Sequence, residues 1–105
     1  MRTKARIELP LEQLESFSVR WRVQELSLFG SVLRDDFDSE SDIDILVDFK
    51  PEAGISLFDL VTMEEELRSI FDRKVDLVTR KSIEASPNYI RRREILASVE
   101  TVYVA

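Results

Sequence analysis

Residues 42–49 read DIDILVDF, an alternation of acidic and apolar residues that has the period of a β-strand. Successive side chains of a strand point to opposite faces, so Asp42 and Asp44 project from one face and the apolar residues from the other. The two carboxylates lie about 7 Å apart, a spacing at which like charges repel unless a cation lies between them. A solvated edge strand is the alternative, but the apolar residues favour a buried strand and therefore a divalent metal site.

A turn precedes this strand by ten residues, at Phe29-Gly30-Ser31. Glycine lets the backbone approach a phosphate, and the free amides of a short helix over residues 32–35 would favour an anion. The Ser31 hydroxyl could add a hydrogen bond to a phosphate oxygen. Alternatively, Gly30-Ser31 is only a turn with a helix cap. Arg34, one helical turn later, either reaches the same phosphates or pairs with Asp38.

A third acid, Asp76, stands in the apolar segment VDLV at residues 75–78. Burying an acid in a strand is costly unless it is paired or bound to metal. If this strand lies beside that of Asp42 and Asp44, the three acids could hold one or two Mg²⁺ ions on a nucleoside triphosphate. Asp76 would then bind the nucleophile's ion and help to accept its proton. An ion pair with Arg73 or Lys74 is the alternative.

The composition restricts the chemistry further. Cysteine and histidine are both absent, which excludes thiol nucleophiles, imidazole bases and the usual zinc ligand sets. Carboxylates without those groups favour hard cations such as Mg²⁺ or Mn²⁺. The net charge of -6 argues against a general nucleic-acid binder. No apolar run or secretory signal pattern is evident, so we expect no membrane association and a cytoplasmic protein.

The acidic connector at residues 35–41 has acidic residues at alternate positions, as a calcium-binding loop does. An EF-hand that starts at Asp36 requires Gly and Glu at positions that here hold Ser41 and Val47. The pattern fails, and a solvated loop is expected. Asp48, further along the strand than the predicted metal ligands, is expected to be an ordinary surface residue.

The remaining periodicities predict one domain over residues 1–105, with a loosely ordered leader at residues 1–10. Besides the strand at residues 42–49, we expect helices at 11–22, from Ser56 onward and from Ser86-Pro87 to about residue 99, and strands at 23–29 and 75–78. The apolar tail at residues 102–104 could pack on the sheet or on a partner. This order predicts an α+β (mixed α/β) fold, with helices packed over a mixed sheet of three or four strands.

In the helix after Ser56, one set of residues is expected to form the apolar stripe: Leu57, Leu60, Val61, Leu67, Ile70 and Phe71. A second set is expected to face away: Glu64, Glu65, Glu66 and Arg68.

The combination of Gly30-Ser31, Asp42-Ile43-Asp44 and Asp76 resembles the DNA polymerase β-type nucleotidyltransferase superfamily. The small size and the segments at residues 30–34 and 74–79 are most similar to minimal nucleotidyltransferases, the MNT domains. The resemblance extends from about residue 26 to the C-terminus. It implies a small palm fold, Mg²⁺ dependence and the three acids as catalytic metal ligands.

Many MNT proteins are antitoxins of HEPN-type ribonuclease toxins, and some transfer AMP from ATP to a toxin tyrosine. The resemblance therefore implies such a transferase, with ATP as donor and a HEPN-type toxin as partner in a hetero-oligomer. The alternative is a non-catalytic antitoxin or assembly module that acts by contact alone. The run Arg91-Arg92-Arg93 could form a charge-complementary interface for that contact, or it is a solvated helix face.

Overall fold

The computed structural model describes residues 9–33, 38 and 41–105, and of Ser31 only the backbone. The elements in chain order are α1 (Leu11–Arg20), β1 (Val23–Phe29), a 3-10 turn (Gly30–Leu33), β2 (Ile43–Phe49), α2 (Leu57–Phe71), β3 (Val75–Thr79), α3 (Arg80–Glu84), α4 (Tyr89–Ala97) and β4 (Glu100–Val104). Most of the predicted leader lies outside the described residues, as does most of the acidic connector. No helix within the described ranges combines the length and the apolar character needed to cross a membrane.

The four strands form one mixed sheet in the order β3-β2-β1-β4. β1 pairs antiparallel with β2 and with β4, whereas β2 and β3 are parallel and are connected through α2. This architecture confirms the expected fold class. The apolar tail is the edge strand β4, in which Tyr103 lies opposite Leu26 of β1, so it packs on the sheet of its own chain.

The main core lies on one face of this sheet, under α1 and α2. Ile43, Ile45 and Val47 of β2 are fully buried there, as their alternation with the acids predicts. The helices contribute Leu14, Phe17, Met63 and Leu67 to the same cluster. Each such side chain contributes about 1.5–3 kcal/mol by leaving water, and this burial keeps β2 in one register.

A smaller cluster lies on the other face of the sheet. Phe29 and Leu46 are buried there against Ile83 of α3 and Ile95 of α4. The middle of β2 is therefore buried on both faces, which explains its continuous apolar run. Asp44 precedes that run and is only partly buried, so the acidic start of β2 lies beside the second cluster.

The apolar stripe expected on α2 is wrong at two positions. Met63 and Leu67 are buried, whereas Leu57 is 81% and Val61 59% exposed. The helix turns about 100° per residue, so Leu57 and Val61 lie about 120° and 160° around the helix from Met63. The neighbouring Phe58 is 87% exposed, and these three side chains form an apolar surface that we call the α2 patch.

Two further expectations near the C-terminus need correction. The helix expected from Ser86-Pro87 begins at Tyr89, and Asn88 caps it by accepting the Arg91 amide at 3.0 Å. The short helix α3 (Arg80–Glu84) was not expected, because five residues are too few to show a helical period. The Thr79 hydroxyl caps it by accepting the Ser82 amide.

Glu66 of α2, expected to face away from the core, instead connects α2 to α1. Its carboxylate accepts the Trp21 indole N–H at 2.5 Å and the Arg20 guanidinium at 2.9 Å. Burial alone would raise the pKa of Glu66, but these two hydrogen bonds and the Arg20 charge together outweigh it, and the pKa lies below its ordinary value of 4.5.

This depressed pKa predicts a pH-dependent contribution to stability. The contribution is fully present above pH 4.5 and is lost as the pH falls through the lower pKa of the folded state. We expect Glu66→Gln to lower the thermal midpoint at pH 7 by a few degrees, and the difference from the wild type to shrink as the pH falls below that range. Trp21 is the single tryptophan, so its fluorescence reports the transition.

Glu65→Gln is the matched control, because Glu65 is an exposed glutamate on the same helix. It should leave the thermal midpoint unchanged across this pH range. A Glu66→Gln difference that stays constant down to pH 3 would contradict the assignment.

Candidate active site

The backbone at the end of β1 lies directly against Asp44. Phe29, the last residue of β1, is opposite Asp44 in the antiparallel ladder. Gly30 follows with φ +75 and begins the 3-10 turn. A Cβ at Gly30 would collide with the Asp44 carboxylate oxygen Oδ2 and lie 3.3 Å from its Cγ. Glycine is therefore required here both by its backbone conformation and by the neighbouring carboxylate.

Asp44 and Asp76 are brought together by the register of the parallel strands. They are partners in the β2–β3 ladder, so their side chains leave the same face of the sheet from strands about 4.8 Å apart. Asp76 is exposed and Asp44 partly buried. Asp76 was expected to complete the metal site only if its strand lay beside that of Asp44, and this pairing meets that condition.

Both acids lie on the wall of a cavity of about 820 Å³ between the sheet and α4. Its polar wall also includes Gly30 and, from α4 and the turn after it, Arg91, Glu94 and Ser98. Phe29, Ile95 and Val99 provide apolar surface. The volume is within the range of about 300–1,000 Å³ that small-molecule sites occupy.

The predicted site residues are placed as follows. Gly30, Asp44 and Asp76 line one cavity. Asp42 lies just before β2, is exposed and is not among the described lining residues. The Ser31 side chain and all of Arg34 lie outside the described part of the chain. Asp48 is partly exposed and, among the described residues, is absent from the cavity wall.

The donor chemistry of this wall fits a hard divalent cation. Asp44 and Asp76 supply carboxylate oxygens from adjacent strands, the ligand type that Mg²⁺ and Mn²⁺ prefer. In the side-chain positions described, no three acidic residues form a group that could hold a metal by themselves. Mg²⁺ is commonly held by one or two carboxylates plus substrate phosphates, so the two cavity acids fit a metal that arrives with a nucleotide. The three-acid site remains a prediction.

The sequence did not show the contribution of α4 to this cavity. Its arginine run was interpreted as an interface or a solvated face, and the three side chains prove to have different surroundings. Arg91 lines the cavity. Arg92 lies over the Tyr89 ring at 5.5 Å and donates to the Glu84 carbonyl at 3.1 Å. Arg93 is exposed, and in the described structure it does not line this cavity.

Solved structures share this fold. A chain from a toxin–antitoxin complex with AMP-PNP matches with a TM-score of 0.70 and 19% identity, over 92% of this chain and 75% of that one. A chain from a complex of a tri-AMPylated Shewanella oneidensis HEPN toxin with an MNT antitoxin matches with a TM-score of 0.60 and 18% identity, over 90% and 70% of the two chains. At these identities the likeness concerns the fold.

Sequence comparison identifies the family. The chain is 34% identical over 96 residues to the protein adenylyltransferase MntA of Thermococcus cleftensis, which covers 84% of this chain and 95% of that protein. Residues 11–99 match the nucleotidyltransferase domain family, and this range contains every predicted site residue. The chain belongs to the nucleotidyltransferase domain family and is a homologue of the MntA-type minimal nucleotidyltransferases.

Proposed function

We propose that this protein, as one domain over residues 1–105, transfers AMP from ATP to a hydroxyl group of a partner HEPN-type toxin and thereby acts as its antitoxin. The acceptor that we propose is a tyrosine hydroxyl. The observation that carries the proposal is the in-register pair Asp44 and Asp76 on the wall of a nucleotide-sized cavity beside Gly30. It is supported by the MntA relative, which is named a protein adenylyltransferase. It is also supported by a solved complex that contains an AMPylated toxin and a chain with the same fold as this protein. The use of ATP suggests a cytoplasmic location.

The proposed reaction is an in-line displacement at the α-phosphorus of ATP. The acceptor oxygen forms a new bond to that phosphorus, and the bond from phosphorus to the oxygen that bridges to the β-phosphate breaks. Pyrophosphate leaves with the bonding electron pair. The hydroxyl proton passes to the Asp76 carboxylate and then to solvent. The products are a toxin with one added AMP and pyrophosphate.

The chain's own residues would orient this reaction. Asp42, Asp44 and Asp76 would hold one or two Mg²⁺ ions, with the nucleotide phosphates as further ligands. Such ions supply positive charge that offsets the phosphate charge when bound. Gly30 and Ser31 would present backbone amides to the phosphates, and Arg34 would add a cation. The apolar cavity wall would keep bulk water from competing with the acceptor hydroxyl.

A second candidate function is neutralisation by contact alone. The α2 patch favours it, because three large apolar side chains lie exposed on one helix: Leu57, Phe58 and Val61. Exposed apolar clusters of this kind often mark protein interfaces. The patch belongs to a helix that covers the sheet face opposite the acids, so a partner could be bound there without any use of the cavity.

Intact-mass measurement of the co-purified partner separates the two functions. After incubation with ATP and Mg²⁺, the partner is expected to gain the mass of one AMP residue or a small multiple of it. Omission of Mg²⁺ should prevent the gain, since the acids would then lack their cation. A folded, partner-bound protein that leaves the partner mass unchanged would exclude the transferase function and leave contact neutralisation.

A further inference from the structure

Apart from Arg91, the charged residues described on the cavity wall are all acidic. Asp44 and Asp76 lie on it, and Glu94 of α4 adds a third carboxylate. A triphosphate would bring several further negative charges. Glu94 lies on α4, whereas the predicted metal ligands Asp44 and Asp76 lie on β2 and β3. Within the described part of the chain, Arg91 is the one cationic residue on this wall. Among the described wall residues, only Arg91 offers positive charge to an anionic ligand of the cavity.

The Arg91 side chain is available for such a ligand. Arg92 is already engaged with Tyr89 and Glu84, whereas the Arg91 guanidinium forms no hydrogen bond or ion pair with another described residue. Glu94 lies three residues on, a spacing at which an ion pair is common in helices, yet the two side chains are not paired. The backbone of Arg91 is fixed, because its amide donates to the Asn88 cap at 3.0 Å.

We propose that Arg91 binds the β- and γ-phosphates of the donor nucleotide, a role that rests on the proposed AMP transfer. A guanidinium offers parallel N–H donors that match two phosphate oxygens, and it stays charged at any physiological pH. During transfer the pyrophosphate gains negative charge as its bond to the α-phosphorus breaks. A cation at that position stabilises this charge more in the transition state than in the bound substrate.

Binding measurements with a non-hydrolysable ATP analogue and with AMP, both in the presence of Mg²⁺, test this assignment. Arg91→Ala should weaken binding of the ATP analogue by about 10- to 100-fold and leave AMP binding nearly unchanged, because AMP lacks the β- and γ-phosphates. Arg91→Lys should restore part of the loss, since it keeps the charge but not the paired donors. Glu94→Gln should tighten binding of the ATP analogue, because it removes a carboxylate from the same wall.

Arg93→Ala is the matched control: it removes an exposed arginine from the same helix, and Arg93 is not among the described residues of this wall. It should leave both dissociation constants unchanged. Equal losses for the ATP analogue and AMP in Arg91→Ala would overturn the assignment to the terminal phosphates. An unchanged Kd with a raised KM for the acceptor protein would assign Arg91 to the acceptor instead. A wild-type protein that binds neither nucleotide would overturn the proposed function itself.

Discussion

Asp44→Asn is expected to reduce the rate of AMP transfer by about 1,000-fold or more. The substitution removes a negative charge and a proposed metal ligand from the cavity wall but preserves the size of the side chain. Metal ions contribute several kcal/mol to transition-state stabilisation, and each 1.4 kcal/mol corresponds to about tenfold in rate. Transfer of AMP to the partner, followed by intact mass over time, measures the effect. Asp76→Asn should act in the same direction, because Asp76 is the strand partner of Asp44.

Asp48→Asn provides the control within the same strand. Asp48 lies four residues after Asp44 on the same side of β2 by alternation, but within the described structure it is not part of the cavity wall. It should retain wild-type transfer, and all three variants should keep their thermal midpoint within a few degrees. Full activity of Asp44→Asn would exclude the metal site at β2. An inactive Asp44→Asn protein that still neutralises the toxin would show that contact suffices.

Gly30→Ala is expected to abolish transfer and to destabilise the fold at the same time. The backbone at Gly30 has φ +75, where an L-residue with a side chain costs about 1–2 kcal/mol. The added methyl group would also overlap the Asp44 carboxylate and displace it from its position beside Asp76. Thermal denaturation measures the first effect, and transfer with nucleotide binding measures the second.

Gly54→Ala separates the effect of backbone strain from the effect of displacing the Asp44 carboxylate. Gly54 has a similar backbone conformation, φ +62, but a Cβ there would meet no atom within 4 Å. Both alanine variants should lose comparable stability from backbone strain, whereas only Gly30→Ala should lose transfer. We also expect Mg²⁺ with ATP to raise the thermal midpoint of the wild type and of Gly54→Ala but not of Gly30→Ala. Equal activity of the two variants would show that the close approach of Gly30 to Asp44 has no functional role.

The parts of the fold that the sequence predicted are those governed by local periodicity. The alternation at residues 42–49 gave β2, and the burial of Ile43, Ile45 and Val47 confirms its apolar face. The spacing of apolar residues likewise predicted α1, α2, β1 and β3. Local periodicity did not predict α3, because five residues are too few to show a helical period. It also assigned Leu57 and Val61 of α2 to the apolar stripe, although both are exposed.

The site was predictable to a similar extent. The residue types indicated metal chemistry, and Gly30 was expected to let the backbone approach a phosphate. The structure shows that Gly30 lies close to the Asp44 carboxylate, and the approach to a phosphate stays a prediction. The role of Glu66 was missed because its partners, Arg20 and Trp21, are about 45 positions away in the chain. Nothing in the arginine run distinguished Arg91 from its neighbours.

The sequence by itself predicted two acids on one strand face, of which Asp44 lies in β2 and Asp42 just before it. It also determined that carboxylates rather than thiols or imidazoles are available and that the chain is similar to minimal nucleotidyltransferases. These conclusions depend on residue type and on the two-residue period of a strand. Only the tertiary structure placed Asp76 beside Asp44 and brought Arg91 to the same cavity wall. The reason is that strand register and the docking of α4 are set by burial of apolar residues distant in sequence.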